Sequence, residues 1–199
     1  MKRVVVSQRV DIFPGKNEQR DALDQRLIEF LLHADCIPVP IPNSLFPKPD
    51  TLARWLAAVA PAAVILSGGN DIGSCHSRDL TEYGLLDYAE HNHLPVLGIC
   101  RGMQMIGVRA GVKLRTVKLH VKTRHTIHGE IVREVNSYHK LALSTCPIGF
   151  NVLARSTDGE IEAIRHEKLC WEGWMWHPER EPSFENDDIT RLRKLLGSN

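Results

Sequence analysis

Two short segments, far apart in the chain, carry residue types that can perform covalent chemistry together. The first is Gly98-Ile99-Cys100-Arg101-Gly102. An apolar run, Pro95–Ile99, leads into it, and Met105, Ile106 and Val108 continue beyond it at helical spacing. This pattern predicts a strand, a sharp turn and a helix, with the cysteine displayed at the turn because the flanking glycines let the chain reverse tightly. A sulfur at a helix N-terminus meets unpaired N–H groups and the positive end of the helix dipole. Both favour thiolate and move its pKa below the roughly 8.5 of a free cysteine.

The second segment is Gly173-Trp174-Met175-Trp176-His177-Pro178-Glu179. In extended backbone, residues i and i+2 project to the same side, so Glu179 can bond one ring nitrogen of His177 while the other faces Cys100. Taken singly, each segment has a plainer reading. The cysteine could be a small buried residue at a strand end, and the histidine and glutamate a solvated surface pair. Taken together they compose a nucleophile, a base and an orienting carboxylate.

These residues need a scaffold that brings distant strand ends together. Short β-branched runs alternate with amphipathic segments through the first half, which predicts a parallel sheet with crossover helices. Strands are expected at Arg3–Ser7, Ile37–Ile41, Ala63–Leu66 and Pro95–Ile99. Helices are expected over about Glu18 to Ala34, over Thr51–Val59 with Asp50 as its cap, and over Leu80–His91. From about Lys113 shorter alternating stretches at Ile131–Val135, Val152–Ala154, Ile161–Ile164 and Cys170–Met175 read as antiparallel or edge strands. Asp158-Gly159 suits a hairpin turn, and a helix over Asp187–Leu196 follows the last strand. No repeat or low-complexity linker divides residues 1–199, so one domain is expected.

Four segments, Leu66-Ser67-Gly68-Gly69-Asn70-Asp71-Ile72, Gly98–Gln104, Val135-Asn136-Ser137-Tyr138-His139 and Trp176–Glu179, occur in an order that resembles the class I (triad) glutamine amidotransferase superfamily, in particular its γ-glutamyl hydrolase branch. Asp158–Ile164 is similar to that family's hairpin upstream of the catalytic histidine. The resemblance implies a flavodoxin-like α/β fold with a mostly parallel central sheet, flanking helices and a smaller antiparallel region. It also implies a γ-glutamyl thioester on Cys100, with His177 and Glu179 as partners and no cofactor. Backbone N–H groups of Gly69 and Arg101 would form the oxyanion hole, and Gly68, Asn70, Gln104, Ser137, Tyr138 and His139 would hold the γ-glutamyl unit. The same resemblance is compatible with a glutaminase subunit supplying ammonia to a separate synthase, and with a binding protein that keeps the fold without the reaction.

Charge narrows the partners. Lys plus Arg number 25 against 24 Asp plus Glu, so no global field draws the molecule to nucleic acid or an acidic membrane. No acidic residue occurs between His91 and Gly129, whereas Arg101, Arg109, Lys113, Arg115, Lys118, Lys122 and Arg124 do. This basic stretch is expected either to be a solvated face or to meet an anionic, phosphate-bearing, nucleotide-linked leaving group through Arg115 and Lys118. The resemblance implies a small-molecule γ-glutamyl substrate as the partner; a homo-oligomer is compatible with the sequence. Five cysteines without a Cys-x-x-Cys pair argue against a disulfide framework and a thiolate metal site, and fit a reducing cytoplasm. The ten histidines show no ligand spacing along the chain, so no metal is expected. The first residues lack a signal-peptide core, and no run reaches membrane-spanning length.

Overall fold

The computed structural model describes residues 1–46 and 49–197. The chain opens with β1 (Lys2–Val6), the hairpin β2 (Arg9–Phe13) and β3 (Glu18–Ala22), helix α1 (Gln25–His33) and strand β4 (Cys36–Pro40). Next come α2 (Pro49–Val59), β5 (Ala63–Leu66), α3 (His76–His91), β6 (Val96–Ile99) and α4 (Arg101–Arg109). The second half runs β7 (Leu114–Thr116), β8 (Val121–Gly129), β9 (Arg133–Tyr138), β10 (Leu141–Leu143), β11 (Phe150–Ser156), β12 (Ile161–His166), β13 (Trp171–Trp174) and α5 (Asn186–Leu195).

Nine strands form one sheet in the order β4-β1-β5-β6-β13-β12-β11-β8-β9. The pairs from β4 to β13 are parallel, and those from β13 to β9 are antiparallel. The expected mostly parallel core with a smaller antiparallel region is therefore present. Helices cover both faces because the central strands are apolar on both sides, with β5, β6 and β13 buried throughout. Phe30 and Leu31 of α1 and Leu192 of α5 pack one face, while Leu56, Leu85 and Ile106 pack the other.

Several elements differ from the sequence expectation. The stretch Glu18–Ala22 is not the start of a helix but a strand paired with Arg9–Phe13. Asn17 turns the hairpin in a left-handed conformation (φ 49°), and the Asp24 carboxylate then accepts from the Arg26 N–H at 3.0 Å, which starts α1 only at Gln25. The segment expected as an antiparallel or edge strand, Cys170–Met175, contributes β13 to the middle of the sheet, parallel to β6 on one side and antiparallel to β12 on the other. Its burial on both faces suits that position. Strand β8 was hidden by Lys122, Arg124, His125 and His128, and Ile131–Val135 shifts to β9 to pair with it. Asp50 lies within the first turn of α2 rather than ahead of it.

Candidate active site

Cys100 connects β6 to α4 with φ 51° and ψ −102°, a conformation that side-chain-bearing residues rarely adopt. The surrounding packing enforces it. A Cβ on Gly102 would overlap the Leu66 carbonyl oxygen, and one on Gly98 would lie 2.5 Å from the Gly102 carbonyl carbon. Only glycine lets α4 press so closely onto the two strands beneath it. The Cys100 N–H donates to the Trp174 carbonyl at 2.6 Å, tying the turn to β13. Cys100 is 7% exposed at the mouth of a cleft that it shares with Gly69, Gln104, Tyr138, His139 and His177.

Because β13 runs parallel beside β6, the chain leaving it passes the cysteine. His177 follows three residues after β13 and is buried. Its backbone is gripped by Asn136 of β9: the His177 N–H donates to Asn136 Oδ1 at 2.9 Å, and Asn136 Nδ2 donates to the His177 carbonyl at 2.8 Å and to Glu181 Oε1 at 2.7 Å. Glu179 Oε1 lies 2.6 Å from His177 Nδ1, leaving Nε2 for Cys100. Arg26 of α1 donates to the Glu179 carbonyl at 2.8 Å and the Glu181 carbonyl at 2.6 Å, fixing the same loop from below. Burial disfavours the imidazolium, yet the Glu179 and Cys100 charges and the hydrogen bonds to both outweigh it, and His177 is pushed up to about 10. The ring also has a close neighbour: a Cβ on Gly68 would lie 2.6 Å from His177 Cε1.

The loop after β5 is held from α3. Arg78 Nη2 donates to the Ser67 carbonyl at 2.7 Å and the Gly68 carbonyl at 2.9 Å, turning the N–H side of this loop away from α3. Gly69 takes φ 116° and reaches the cleft. Arg101 occupies the first turn of α4, where helix N–H groups have no intrahelical acceptor. Its guanidinium is buried in ion pairs with Asp79 and Glu82, so its charge is already met within the fold.

The other expected binding residues separate into two groups. Gln104, Tyr138 and His139 share the Cys100 cleft, and Gln104 Nε2 donates to the Leu141 carbonyl at 2.8 Å, fixing its amide. Tyr138 meets the His177 ring edge-on at 5.8 Å. By contrast, Asn70 is committed to β2: its Oδ1 accepts from the Val10 N–H and its Nδ2 donates to the Val10 carbonyl, both at 2.8 Å. Ser137 is fully buried and donates to the His120 carbonyl at 2.8 Å. These two shape the cleft without lining it.

Apart from Arg101, the basic stretch does not converge on the site. Arg115 makes two 2.7 Å bonds to Glu160 and borders a separate depression with Cys146 and Arg155, while Lys118 is exposed beyond β7. Arg109 pairs with Asp87 and Glu90, and Arg124 with Glu134 and Glu181. The acids that neutralise these arginines lie outside the acid-free window. Besides Arg101, the arginines and lysine that border Cys100, His177 and Glu179 are Arg9, Arg180 and Lys140, joined by the carboxylate of Asp71. Sequence reasoning missed all four, as well as Asn136 as the anchor of His177. Only Asp71 and Asn136 fell within segments already singled out.

Comparison with known proteins agrees with this fold. Residues 21–194 match the family of glutamine amidotransferase class-I domains. A γ-glutamyl-CDP-amidate hydrolase from Campylobacter jejuni is 32% identical over 135 residues, covering 65% of this chain and 68% of the relative. A glutamine-hydrolysing GMP synthase subunit from Thermococcus kodakarensis is 30% identical over 164 residues, covering 76% and 80%. Among solved structures, a glutamine amidotransferase from Thermotoga maritima superposes with a TM-score of 0.65 at 17% identity, covering 98% of this chain and 82% of its own. A protein assigned as a GMP synthase subunit from Thermoplasma acidophilum superposes with a TM-score of 0.72 at 18% identity, covering 99% and 93%.

Proposed function

The chain belongs to the glutamine amidotransferase class-I family, and from that premise we propose that it hydrolyses a γ-glutamyl amide through a thioester on Cys100, with His177 and Glu179 completing the triad. The observation that carries this reading is the burial of His177 with Nδ1 on Glu179 and its place beside Cys100 in one cleft. The Cys100 thiol proton passes to His177 Nε2 as Sγ attacks the γ-carbonyl carbon. The resulting oxyanion accepts from the N–H groups of Gly69 and Arg101. The His177 Nε2 proton passes to the leaving nitrogen as the C–N bond breaks, and the neutral ring then takes a proton from the water that attacks the thioester. Glutamate leaves and the thiol is restored. Gln104, Tyr138 and His139 hold the γ-glutamyl unit, with Asp71 facing its ammonium group.

For the leaving group we favour a phosphoramidate of the γ-glutamyl-CDP-amidate kind. The Campylobacter jejuni relative supports this reading, as do Arg9, Lys140 and Arg180 around the catalytic residues. These cations, rather than Arg115 and Lys118, would meet the phosphates. The second reading is a glutaminase subunit. It is favoured by the greater share of the chain that matches the GMP synthase subunit from Thermococcus kodakarensis. Steady-state kinetics on glutamine, a γ-glutamyl amine and a γ-glutamyl phosphoramidate separate the readings. The phosphoramidate is expected to give the highest kcat/KM, and Arg180→Ala to raise KM for it alone. Faster turnover of glutamine, rising further with a synthase partner, would overturn the phosphoramidate reading in favour of the glutaminase.

A further inference from the structure

Below the γ-glutamyl cleft, on the antiparallel side of the sheet, lies a buried cluster that the proposed reaction does not use. Glu162 of β12 is 0% exposed, and among the described residues neither of its carboxylate oxygens has a hydrogen-bond partner. Burying such a group without compensation costs several kcal/mol, so its surroundings must supply a positive partner. Three imidazoles supply only their inner nitrogens. His120 Nδ1 and His125 Nε2 each lie 3.3 Å from Glu162 Oε1, and His139 Nε2 lies 3.4 Å away. His125 Nε2 is itself buried and has no hydrogen-bond partner.

The outer nitrogens of two of these rings are already engaged. His120 Nε2 sits 2.9 Å from Asp158 Oδ2, and His139 Nδ1 sits 3.1 Å from the Leu141 carbonyl. A ring that donates its outer N–H to a carboxylate or carbonyl presents its other nitrogen inward in a fixed direction, which is how proteins orient imidazoles toward metals. One donor atom from each of His120, His125 and Glu162 falls within a 4.8 Å group. Ligands about 2.0–2.1 Å from one tetrahedral ion stand about 3.3 Å apart, the spacing seen here between Glu162 Oε1 and both nitrogens.

We propose that His120, His125 and Glu162 bind a divalent transition metal of the zinc class, with His139 Nε2, 3.1 Å from His120 Nδ1, beside the remaining position. Two imidazoles and one carboxylate suit zinc-type ions, whereas calcium and magnesium require mainly oxygen. Ligand spacing along the chain could not reveal this site, because its members come from the residue ahead of β8, the middle of that strand and the distant β12, so the sequence expectation of no metal is revised. The ion would staple β8 to β12 across the intervening β11. Through His139 it would also stiffen the wall facing Cys100. This assignment is independent of the γ-glutamyl reading, since none of its three ligands touches the reacting atoms.

The test is titration of metal-free full-length Cys100→Ser protein with Zn2+ and with Co2+, the serine removing the catalytic sulfur as a competing ligand. One equivalent should bind saturably, with the absorption of tetrahedral nitrogen–oxygen Co2+ and a raised Tm. His125→Ala, at a partly exposed position that should tolerate truncation, should weaken binding by at least about 100-fold, given that even outer partners of metal ligands cost 10–100-fold. Glu162→Gln, which keeps the side-chain shape, should do the same. Absence of saturable binding, a sulfur-to-cobalt charge-transfer band, or affinity unchanged in both variants would overturn the assignment. In that case protons alone would hold the cluster together.

Discussion

Cys100 and His177 stand beyond the carboxyl ends of two neighbouring parallel strands, β6 and β13, whereas Tyr138 and His139 come from β9 at the opposite, antiparallel edge of the sheet. The parallel half places reacting atoms through register: Gly98 pairs with Gly173 and Ile99 with Trp174, so the chains leaving these strands emerge side by side. The antiparallel half has a register of its own, β8 against β9, but neither of those strands pairs with β6 or β13. It uses discrete side-chain bonds instead, chiefly those from Asn136 to His177 and Glu181. A backbone ladder is difficult to alter one residue at a time, while an amide clamp can be removed by one substitution. On the proposed reading, the reacting side chains come from the parallel half, and the antiparallel half holds His177 in place through Asn136.

Removing the reacting atom should give the largest effect. Cys100→Ala is expected to lower turnover by about 10⁴-fold or more, with a Tm within a few degrees of the parent. Comparable turnover in this variant would remove Cys100 from the reaction. Glu179→Gln should follow, with a smaller loss of turnover than Cys100→Ala and a changed pH profile. The folded-state pKa of His177 is raised to about 10, so its charge contributes stability fully below its unfolded value and loses it as pH rises through about 10. Turning Glu179 into an amide removes the attraction that opposes burial, and the alkaline limb of acylation should move to lower pH. An unmoved limb would show that another group sets it.

Breaking the clamp comes next. Asn136→Ala leaves the buried N–H and carbonyl of His177 without their partner, at about 1–3 kcal/mol for each unsatisfied group. A fall in Tm is expected, together with a loss of kcat of about tenfold. If Tm falls and kcat does not, the parallel half positions His177 alone, and the two halves do not divide the work in this way. The smallest effect is expected from Arg115→Ala. Its guanidinium is committed to Glu160 away from Cys100, so KM for phosphorylated and neutral substrates should both stay within about twofold, consistent with the small contribution of exposed ion pairs.

Legibility followed distance along the chain. The turn at Cys100 could be read because strand, glycines and helix are contiguous, and His177 with Glu179 because strand geometry alone brings i and i+2 to one side. The central position of β13 could not, since its parallel neighbour β6 lies more than seventy residues away. Nor could the fate of Arg115, whose partner Glu160 belongs to a different strand region. The hairpin at residues 9–22 was missed for the opposite reason: its polar, weakly patterned strands are specified by a turn at Asn17 and by Asn70 holding Val10, not by a hydrophobic period. Charge density along the chain proved the poorest guide, because it counts cations without the acids that quench them.

The last strand to emerge in the sequence, β13, sits in the middle of the sheet and accepts the hydrogen bond that holds the nucleophile turn. During synthesis, then, Cys100 and His177 remain apart until β13 has left the ribosome, and until that point the thiol should be chemically quiet. Stalled chains ending before residue 170 should alkylate at Cys100 no faster than at an ordinary thiol, with reactivity appearing only once Trp171–Trp174 can slot between β6 and β12.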